Sequence, residues 1–338
     1  MNSLERAIAA IKHEKIDRVP TDLHNFELCA RTSGEPYDRF LKSGFLMAEW
    51  QIAMWQRFGH DVILHENGTC AMAETVGCKV EYRKDLPPAV VAPALNSIKE
   101  VGKLKPFHLS NNPVIQELLK GSAILQRQIG DRVLIMGRSD IAPFSLAALM
   151  LGMENFLMET VLKENEEDIH HLLTYCTDAT LQFIKAQFGT GILVTSLGDS
   201  TAGPDLVSPE VYREFAFPYE KAIVDEVHSR GGLMAVHICG NATKILPDMV
   251  ATQADILEID EKTDLRTAVS LARNKSCLLG TISPNLLRNG NAAEVAQTSQ
   301  EVLQIAGKET GFIFGPGCAL AGDTPFENID ALLNAVRI

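Results

Sequence analysis

Short apolar segments alternate with helical patterns along the chain, and this alternation is the feature that most constrains the fold. Alternating strands and helices predict parallel strands joined by crossover helices, and eight such units close a barrel. We therefore predict an α/β fold, a (β/α)8 (TIM) barrel, with residues 1–338 forming a single domain. The predicted strands are 18–23, 61–66, 133–140, 191–199, 232–240, 255–260, 276–283 and 311–317, and the clearest helices are 164–188, 210–230, 292–306 and 326–337.

The composition excludes several classes of function. No apolar run reaches the roughly 18 residues of a membrane helix, and residues 1–18 carry charges throughout, unlike a signal peptide. We expect a cytoplasmic protein with no membrane partner. The 43 acidic residues outnumber the 31 Lys and Arg residues, so we expect no nucleic-acid partner, which would need a positive patch. In a reducing compartment, the seven cysteines favour metal binding or burial over disulfides.

Polar residues follow the predicted strands where each strand ends. In (β/α)8 enzymes the catalytic residues lie at the C-terminal ends of the strands, so these positions are candidates for a functional site. We predict that Glu66, Asn67, Arg138 and Asp140 contact the substrate and that Asp199 takes part in catalysis. The alternative for each is an ordinary polar residue where a strand meets a loop, and Arg138 and Asp140 alternatively form an ion pair.

The strongest chemical signal is a set of three metal-ligand residues. His237 and Cys239 lie two positions apart at the end of a predicted strand, so their side chains point to the same face. Cys318 follows the last predicted strand in a turn rich in Gly and Pro. Two Cys and one His with a fourth position open form a catalytic zinc site. The alternative for the His237–Cys239 pair alone is inert burial, since cysteine is often buried.

Acidic residues on the neighbouring predicted strand are candidates for the fourth zinc ligand. Glu258 and Asp260 share one face of that strand, and Glu261 follows. We predict that Asp260 is, with Asp199, a catalytic residue and that it fills the fourth position in the absence of substrate, with Glu258 or Glu261 as alternatives. An acidic, solvated rim with no ligand role explains the same pattern.

Several longer motifs resemble the uroporphyrinogen decarboxylase superfamily along nearly the whole chain. This superfamily contains true decarboxylases and cobalamin-dependent methyltransferases, both built on a (β/α)8 barrel. The residues that carry the resemblance are Arg18-Val19-Pro20, Glu74-Thr75-Val76-Gly77, Pro143-Phe144-Ser145-Leu146, Ser208-Pro209-Glu210-Val211-Tyr212-Arg213, Pro218-Tyr219 and Asp323-Thr324-Pro325-Phe326-Glu327-Asn328.

The chain lacks the residues with which the decarboxylases bind their substrate and carry out their reaction. The decarboxylases have an Arg-Gln-Ala-Gly-Arg-Tyr motif after the first strand, whereas residues 23–30 contain no arginine. Gly68 stands where their catalytic aspartate lies, and Cys318 replaces the histidine of their C-terminal Gly-His-Gly. Because a porphyrinogen with its many carboxylates needs cationic partners, decarboxylation is the less favoured alternative.

The methyltransferase branch is marked by a His-x-Cys motif and a later Cys, and His237, Cys239 and Cys318 fill these three positions. Residues 199–208 are also similar to the sequences of this branch. The chain most resembles methylcobalamin:coenzyme M methyltransferases. This resemblance implies zinc as cofactor, methylcobalamin on a corrinoid protein as methyl donor, and a small thiol such as coenzyme M as acceptor. Another thiol or tetrahydrofolate remains an alternative acceptor, and the oligomeric state stays open. A zinc-bearing corrinoid-docking protein without turnover is the non-enzyme alternative, which the open fourth position disfavours.

Overall fold

The computed structural model describes residues 1–307 and 311–337, so residues 308–310 and 338 of the predicted single domain lie outside the described part. Its centre is a curved parallel sheet of seven strands in the order β1-β4-β5-β6-β7-β8-β9, and β2 and β3 form a separate antiparallel ribbon. The strands are β1 (Val62–His65), β2 (Lys79–Glu81), β3 (Ala89–Ala92), β4 (Leu134–Ile141), β5 (Val194–Gly198), β6 (Leu233–Ile238), β7 (Ile256–Ile259), β8 (Cys277–Ile282) and β9 (Phe312–Pro316).

Helices connect and cover these strands. They are α1 (Ser3–Ile11), α2 (Phe26–Ser33), α3 (Tyr37–Phe40), α4 (Gly44–Phe58), α5 (Ala71–Thr75), α6 (Pro113–Ile129), α7 (Pro143–Leu151), α8 (Met153–Leu162), α9 (Glu166–Phe188), α10 (Pro209–Val211), α11 (Phe217–Ser229), α12 (Leu246–Ala251), α13 (Leu265–Ala272), α14 (Pro284–Asn289), α15 (Ala292–Ala306) and α16 (Phe326–Asn334). Within the described ranges no single helix is long and apolar enough to cross a membrane; α7 and α8 pass that test only as a pair bent by 112°.

Local sequence signals explain where several helices begin. The side chain of Asn291 accepts from the backbone of Glu294, whose own side chain accepts from Asn291, and this capping box starts α15 at the predicted residue. The predicted helix 210–230 is interrupted by a π-helical turn, Tyr212–Ala216. Pro218, at the start of α11, has no backbone N–H to continue a regular hydrogen-bond ladder, which explains the interruption.

The N-terminal ends of the strands are apolar and covered. Leu134, Met136, Val194 and Ile313 are buried in one cluster together with residues of α1, which contacts β1, β4 and β9. Burial of this apolar face of α1 stabilises the sheet at the N-terminal ends of its strands. The polar residues gather at the opposite, C-terminal ends, where we predicted the functional site.

The predicted strand at 18–23 is the one strand prediction that was wrong. Thr21 forms a single parallel bridge to Phe314 in β9, and Asp22 forms one to Val62 in β1. The Thr21 N–H donates to the carboxylate of Asp61 at 2.9 Å instead of to a neighbouring strand. Pro20 has no N–H to donate, so this segment lies between two strands without a continuous ladder of its own.

Asp61 fixes this segment through a buried network. Its carboxylate is fully buried and accepts from Arg6 Nη1 at 2.6 Å, from Arg18 Nη1 at 2.8 Å and from the Thr21 hydroxyl at 3.2 Å. Removing one partner from a buried ion pair leaves an uncompensated charge in the interior. The network therefore sets the position of Asp22 and of the residues that follow it.

We expect Asp61→Asn to lower the free energy of unfolding by about 3–5 kcal/mol, because Arg6 and Arg18 lose their buried counter-charge. Urea denaturation monitored by circular dichroism measures the change. Asp330→Asn is the matched control, since Asp330 pairs with Arg57 at the exposed surface and solvent screens that interaction. Equal stability of the two variants would show that the network does not hold the segment.

Candidate metal centre and active site

The three predicted metal ligands converge at the C-terminal ends of β6 and β9. His237 lies in β6, Cys239 follows that strand, and Cys318 follows β9. Their ligand atoms all lie within 4.8 Å of one another, and no other His, Cys, Asp or Glu among the described residues belongs to a comparable group. His237 Nε2 lies 3.0 Å from Cys239 Sγ, which lies 3.8 Å from Cys318 Sγ.

This donor set fits one zinc ion. A tetrahedral site with Zn–S bonds of about 2.3 Å requires two sulfurs about 3.8 Å apart, and Cys239 and Cys318 have that separation. His237 Nδ1 donates to the backbone carbonyl of Glu258 at 3.1 Å. This bond fixes the tautomer of the imidazole and leaves the Nε2 lone pair free for a metal. The three residues could thus supply three of the four ligands of a tetrahedral zinc ion.

The close approach of Cys318 depends on a glycine. A Cβ at Gly317 would lie 2.9 Å from Asp260 Cα and 3.1 Å from Glu261 N, closer than side chains normally approach. Because residue 317 has no side chain, the turn that carries Cys318 lies directly against the end of β7. This packing brings the sulfur of Cys318 to the ligands of β6.

The electrostatic environment of the three metal-ligand residues favours ionisation of one of the two cysteines, Cys239. A hydrogen bond from Cys318 lowers the pKa of Cys239 to about 3, and contacts with His237 and Ser200 act in the same direction. The same bond, together with burial, raises the pKa of Cys318. Burial alone lowers the pKa of His237, but Glu258 and Cys239 raise it more. Cys239 is therefore held in the ionised form in which cysteine binds metals.

A closed ring of four buried charged residues lies beside the metal group. Arg138 Nε lies 3.3 Å from Glu66, and its Nη2 lies 3.4 Å from Glu258. His24 completes the ring, with its Nε2 3.3 Å from Glu66 and its Nδ1 3.2 Å from Glu258. Each carboxylate thus lies between both cations, and Glu258 also lies 3.7 Å from His237 Nδ1. We call these four residues the charge ring.

The ring keeps its members charged despite burial. Burial lowers the pKa of His24, but Glu66 and Glu258 raise it to about 10. Burial raises the pKa of Glu258, whereas His237, Arg138 and His24 lower it below its usual range. The two positive and two negative charges of the ring balance, which makes burial of all four possible.

Two predicted substrate contacts, Glu66 and Arg138, lie next to each other in the structure. Two further residues near the metal group, His24 and Asp22, were missed by the sequence analysis. His24 follows the segment 18–23 just as the other candidates follow their strands, and that signal was present in the sequence. Asp22 is fully buried, and burial, partly offset by His24, raises its pKa to about 7. Neither Asp22 carboxylate oxygen nor Arg138 Nη1 has a hydrogen-bond partner in the described part of the chain.

The other predicted site residues make contacts with the surrounding helices. Asp140 accepts from the backbone of Met72 in α5, and Asn67 donates to the Val114 carbonyl in α6 at 3.3 Å. Asp199 accepts from the Ser145 backbone at 2.8 Å and from its hydroxyl at 2.6 Å, and burial raises its pKa to about 6. The contacts described for these residues anchor the strand ends. Their roles in substrate contact and catalysis stay predictions.

The candidates for a fourth ligand lie outside the metal group. Asp260 Oδ2 accepts from the backbone of Gly240 at 2.9 Å, and its Oδ1 accepts from the backbone of Lys262 at 3.2 Å. Glu261 hydrogen-bonds to Asp260, and Glu258 belongs to the charge ring. In this arrangement Asp260 joins the loops after β6 and β7, and the fourth ligand stays a prediction.

A family model described as uroporphyrinogen decarboxylase (URO-D) matches residues 2–338. The chain belongs to the uroporphyrinogen decarboxylase family. Membership confirms the resemblance recognised in the sequence and covers all the elements that build the site. The family contains relatives with different activities, so similarity to individual proteins carries further information.

Relatives in this family carry two kinds of name. A methylcobamide:CoM methyltransferase of Methanosarcina acetivorans is 29% identical, with 98% of this chain and 97% of the relative covered. A uroporphyrinogen decarboxylase of Carboxydothermus hydrogenoformans is 27% identical, with 78% of this chain and 74% of the relative covered. A solved methyltransferase from Methanosarcina mazei shares the fold, with a TM-score of 0.88 and 24% identity over 99% of this chain and 98% of its own.

We expect this URO-D family member to bind about one zinc ion per chain and to lose it in Cys239→Ala and in Cys318→Ala, since each variant removes one of three ligands. Elemental analysis after dialysis measures the zinc content. Cys70→Ala is the control, because Cys70 is also half-buried but does not belong to the metal group. Full zinc content in both ligand variants would refute the site.

Proposed function

We propose that this chain is a zinc-dependent methyltransferase that transfers a methyl group from a methylated corrinoid, carried by a partner protein, to a small thiol. The observation that carries the proposal is the convergence of His237, Cys239 and Cys318 at the C-terminal ends of parallel strands. Three Cys and His ligands with an open position are typical of catalytic zinc. Relatives named methylcobamide:CoM methyltransferases, matched over nearly the whole chain, support the same class of reaction.

The acceptor must be ionised before it attacks a methyl group. A free thiol with a pKa near 8.5 is only about 3% thiolate at pH 7. Zinc held by the three ligands supplies the positive charge that keeps a bound thiol ionised. Cys239 and Cys318 contribute two negative charges when both are ionised, which equal the charge of the ion. An acceptor thiolate would therefore give this group a net charge of about −1 and keep electron density on its sulfur. The backbone carbonyl of Glu258 holds His237 in the required tautomer.

The proposed reaction moves one methyl group and one electron pair. The acceptor sulfur forms a bond to the methyl carbon while the cobalt–carbon bond breaks, and its electron pair stays on cobalt. The corrinoid leaves as cob(I)alamin, and the proton of the thiol passes to the solvent. Cys239 and Cys318 are half-buried and not fully enclosed, which supports access of the donor to this group.

We also propose that residues 20–22 occupy the eighth position of a (β/α)8 barrel. The Phe314 N–H donates to the Pro20 carbonyl at 2.8 Å, and the Val62 N–H donates to the Thr21 carbonyl at 3.0 Å. The segment thus hydrogen-bonds to β9 on one side and to β1 on the other, which supports a closed ring. Because α1 covers the N-terminal ends of the strands, the corrinoid approaches from the C-terminal ends.

Decarboxylation is the second candidate function, because some relatives are named uroporphyrinogen decarboxylases. A porphyrinogen carries several carboxylates that need cationic partners. Beside the metal group, the buried cations described are Arg138 and His24, and Glu66 and Glu258 balance their charges, so no surplus positive charge is left for several carboxylates. The charge balance therefore favours methyl transfer. A docking protein without turnover explains the triad less well, since a structural zinc site usually has four protein ligands.

We expect the zinc-loaded protein to convert methylcobalamin and a small thiol to cob(I)alamin, or its oxidised product, in an anaerobic spectrophotometric assay. At pH 7, Cys318→Ala should lower the rate at least about 30-fold, the gain available from full ionisation of a thiol that is otherwise about 3% thiolate. Cys70→Ala should retain the wild-type rate. No transfer to coenzyme M, homocysteine or other small thiols, or rapid decarboxylation of uroporphyrinogen, would contradict the proposal.

A further inference from the structure

Two ionisable side chains near the metal group, one acidic and one basic, have polar atoms without hydrogen-bond partners within the described residues. Asp22 has both carboxylate oxygens unpaired, and Arg138 has its Nη1 unpaired. Both side chains are almost completely buried. A buried polar atom without a partner costs free energy unless a ligand or a water satisfies it. The three atoms therefore mark a place where a polar ligand is expected.

Each of the two groups lies near a residue or strand that supplies a metal ligand. A Cβ at Gly315, three residues before Cys318, would lie 3.4 Å from Asp22 Cβ, so Asp22 is next to the strand that leads to Cys318. A Cβ at Gly198 would lie 3.6 Å from Arg138 Nη1 and 3.9 Å from His237 Cδ2. Arg138 Nη1 is therefore near His237, and Asp22 is next to β9, the strand that precedes Cys318.

The glycine at position 198 also leaves room beside Arg138. The three atoms nearest to its added Cβ are Arg138 Nη1 at 3.6 Å, Arg138 Cζ at 3.9 Å and His237 Cδ2 at 3.9 Å, all at ordinary van der Waals distance. A small group thus fits between Arg138 Nη1 and His237 without displacing either. Any other residue at position 198 would occupy this space.

The charges of the charge ring and of Asp22 determine which kind of acceptor tail fits beside the metal group. The charge ring is neutral, because Arg138 and His24 are balanced by Glu66 and Glu258. Asp22 lies outside this ring, so a thiol with only a negative tail would leave its carboxylate without a partner and add a second buried negative charge. A thiol with only a positive tail would leave Arg138 Nη1 without a partner. A zwitterionic tail brings its own cation, so it adds no net charge and satisfies Asp22 as well as Arg138.

We propose that the methyl acceptor is an α-amino-acid thiol of the homocysteine or cysteine type, with its carboxylate on Arg138 Nη1 and its ammonium group on Asp22. This proposal rests on the methyl transfer proposed above and names the class of its acceptor. Asp22 and Arg138 are then the residues that determine specificity. Coenzyme M, which carries a sulfonate and no ammonium group, is a poorer acceptor in this site.

A rate assay with methylcobalamin and four thiols tests the carboxylate contact and the ammonium contact separately. Homocysteine carries both charges, 3-mercaptopropionate and coenzyme M carry only the negative one, and cysteamine carries only the positive one. We expect kcat/KM for homocysteine to exceed that for each of the other three by about 100-fold, since buried charge pairs contribute strongly to recognition. A kcat/KM for coenzyme M equal to or above that for homocysteine would overturn this inference and leave the proposed methyl transfer intact.

Asp22→Asn tests the ammonium contact and keeps the shape of the side chain. We expect this variant to reduce the preference for homocysteine over 3-mercaptopropionate by about 100-fold. Asp330→Asn, at the exposed surface, is the control and should keep the preference. An unchanged preference in Asp22→Asn would overturn the assignment of Asp22.

A binding measurement gives a second readout that needs no turnover. Calorimetry with the zinc-loaded protein and no methyl donor compares the two methylated products, methionine and S-methyl coenzyme M. We expect methionine to bind at least about 10-fold more tightly, and Asp22→Asn to remove that difference. Tighter binding of S-methyl coenzyme M would overturn the inference. Failure of every thiol to accept a methyl group would instead overturn the proposed function, and this inference with it.

Discussion

Glu258 makes the contacts on which the geometry of the site depends. Its backbone carbonyl accepts from His237 Nδ1, and its carboxylate lies between His24 and Arg138. The first contact orients the imidazole so that Nε2 faces the two sulfurs. The second holds a fully buried carboxylate in its ionised form, because opposite charges surround it. One residue of β7 thus connects the metal ligands to the charges that line the interior.

The sequence predicts features that depend on local spacing. Residues two apart on a strand share a face, so the common direction of His237 and Cys239 follows directly, and a capping box fixes the start of α15. The position of Cys318 is also predictable, because it follows a strand like the other candidates. These features require no knowledge of which side chains meet across the sheet.

Other features depend on contacts between distant residues. His24 and Glu258 are separated by 234 positions, and nothing in the local pattern shows that they meet. The segment 18–23 has the composition of a strand, but the carboxylate of Asp61 takes the backbone hydrogen bond of Thr21. The same long-range packing pairs Glu66 with Arg138, a contact that the sequence analysis did not predict, and their predicted contacts with a substrate stay predictions.

The proposed methyl transfer requires that zinc held by this chain bind the sulfur of the acceptor. X-ray absorption at the zinc edge measures this directly, by counting sulfur ligands before and after a thiol is added to the zinc-loaded protein. We expect two sulfurs and one imidazole nitrogen from Cys239, Cys318 and His237, and a third sulfur once homocysteine is present. A sulfur count that stays at two with saturating thiol would contradict the central claim.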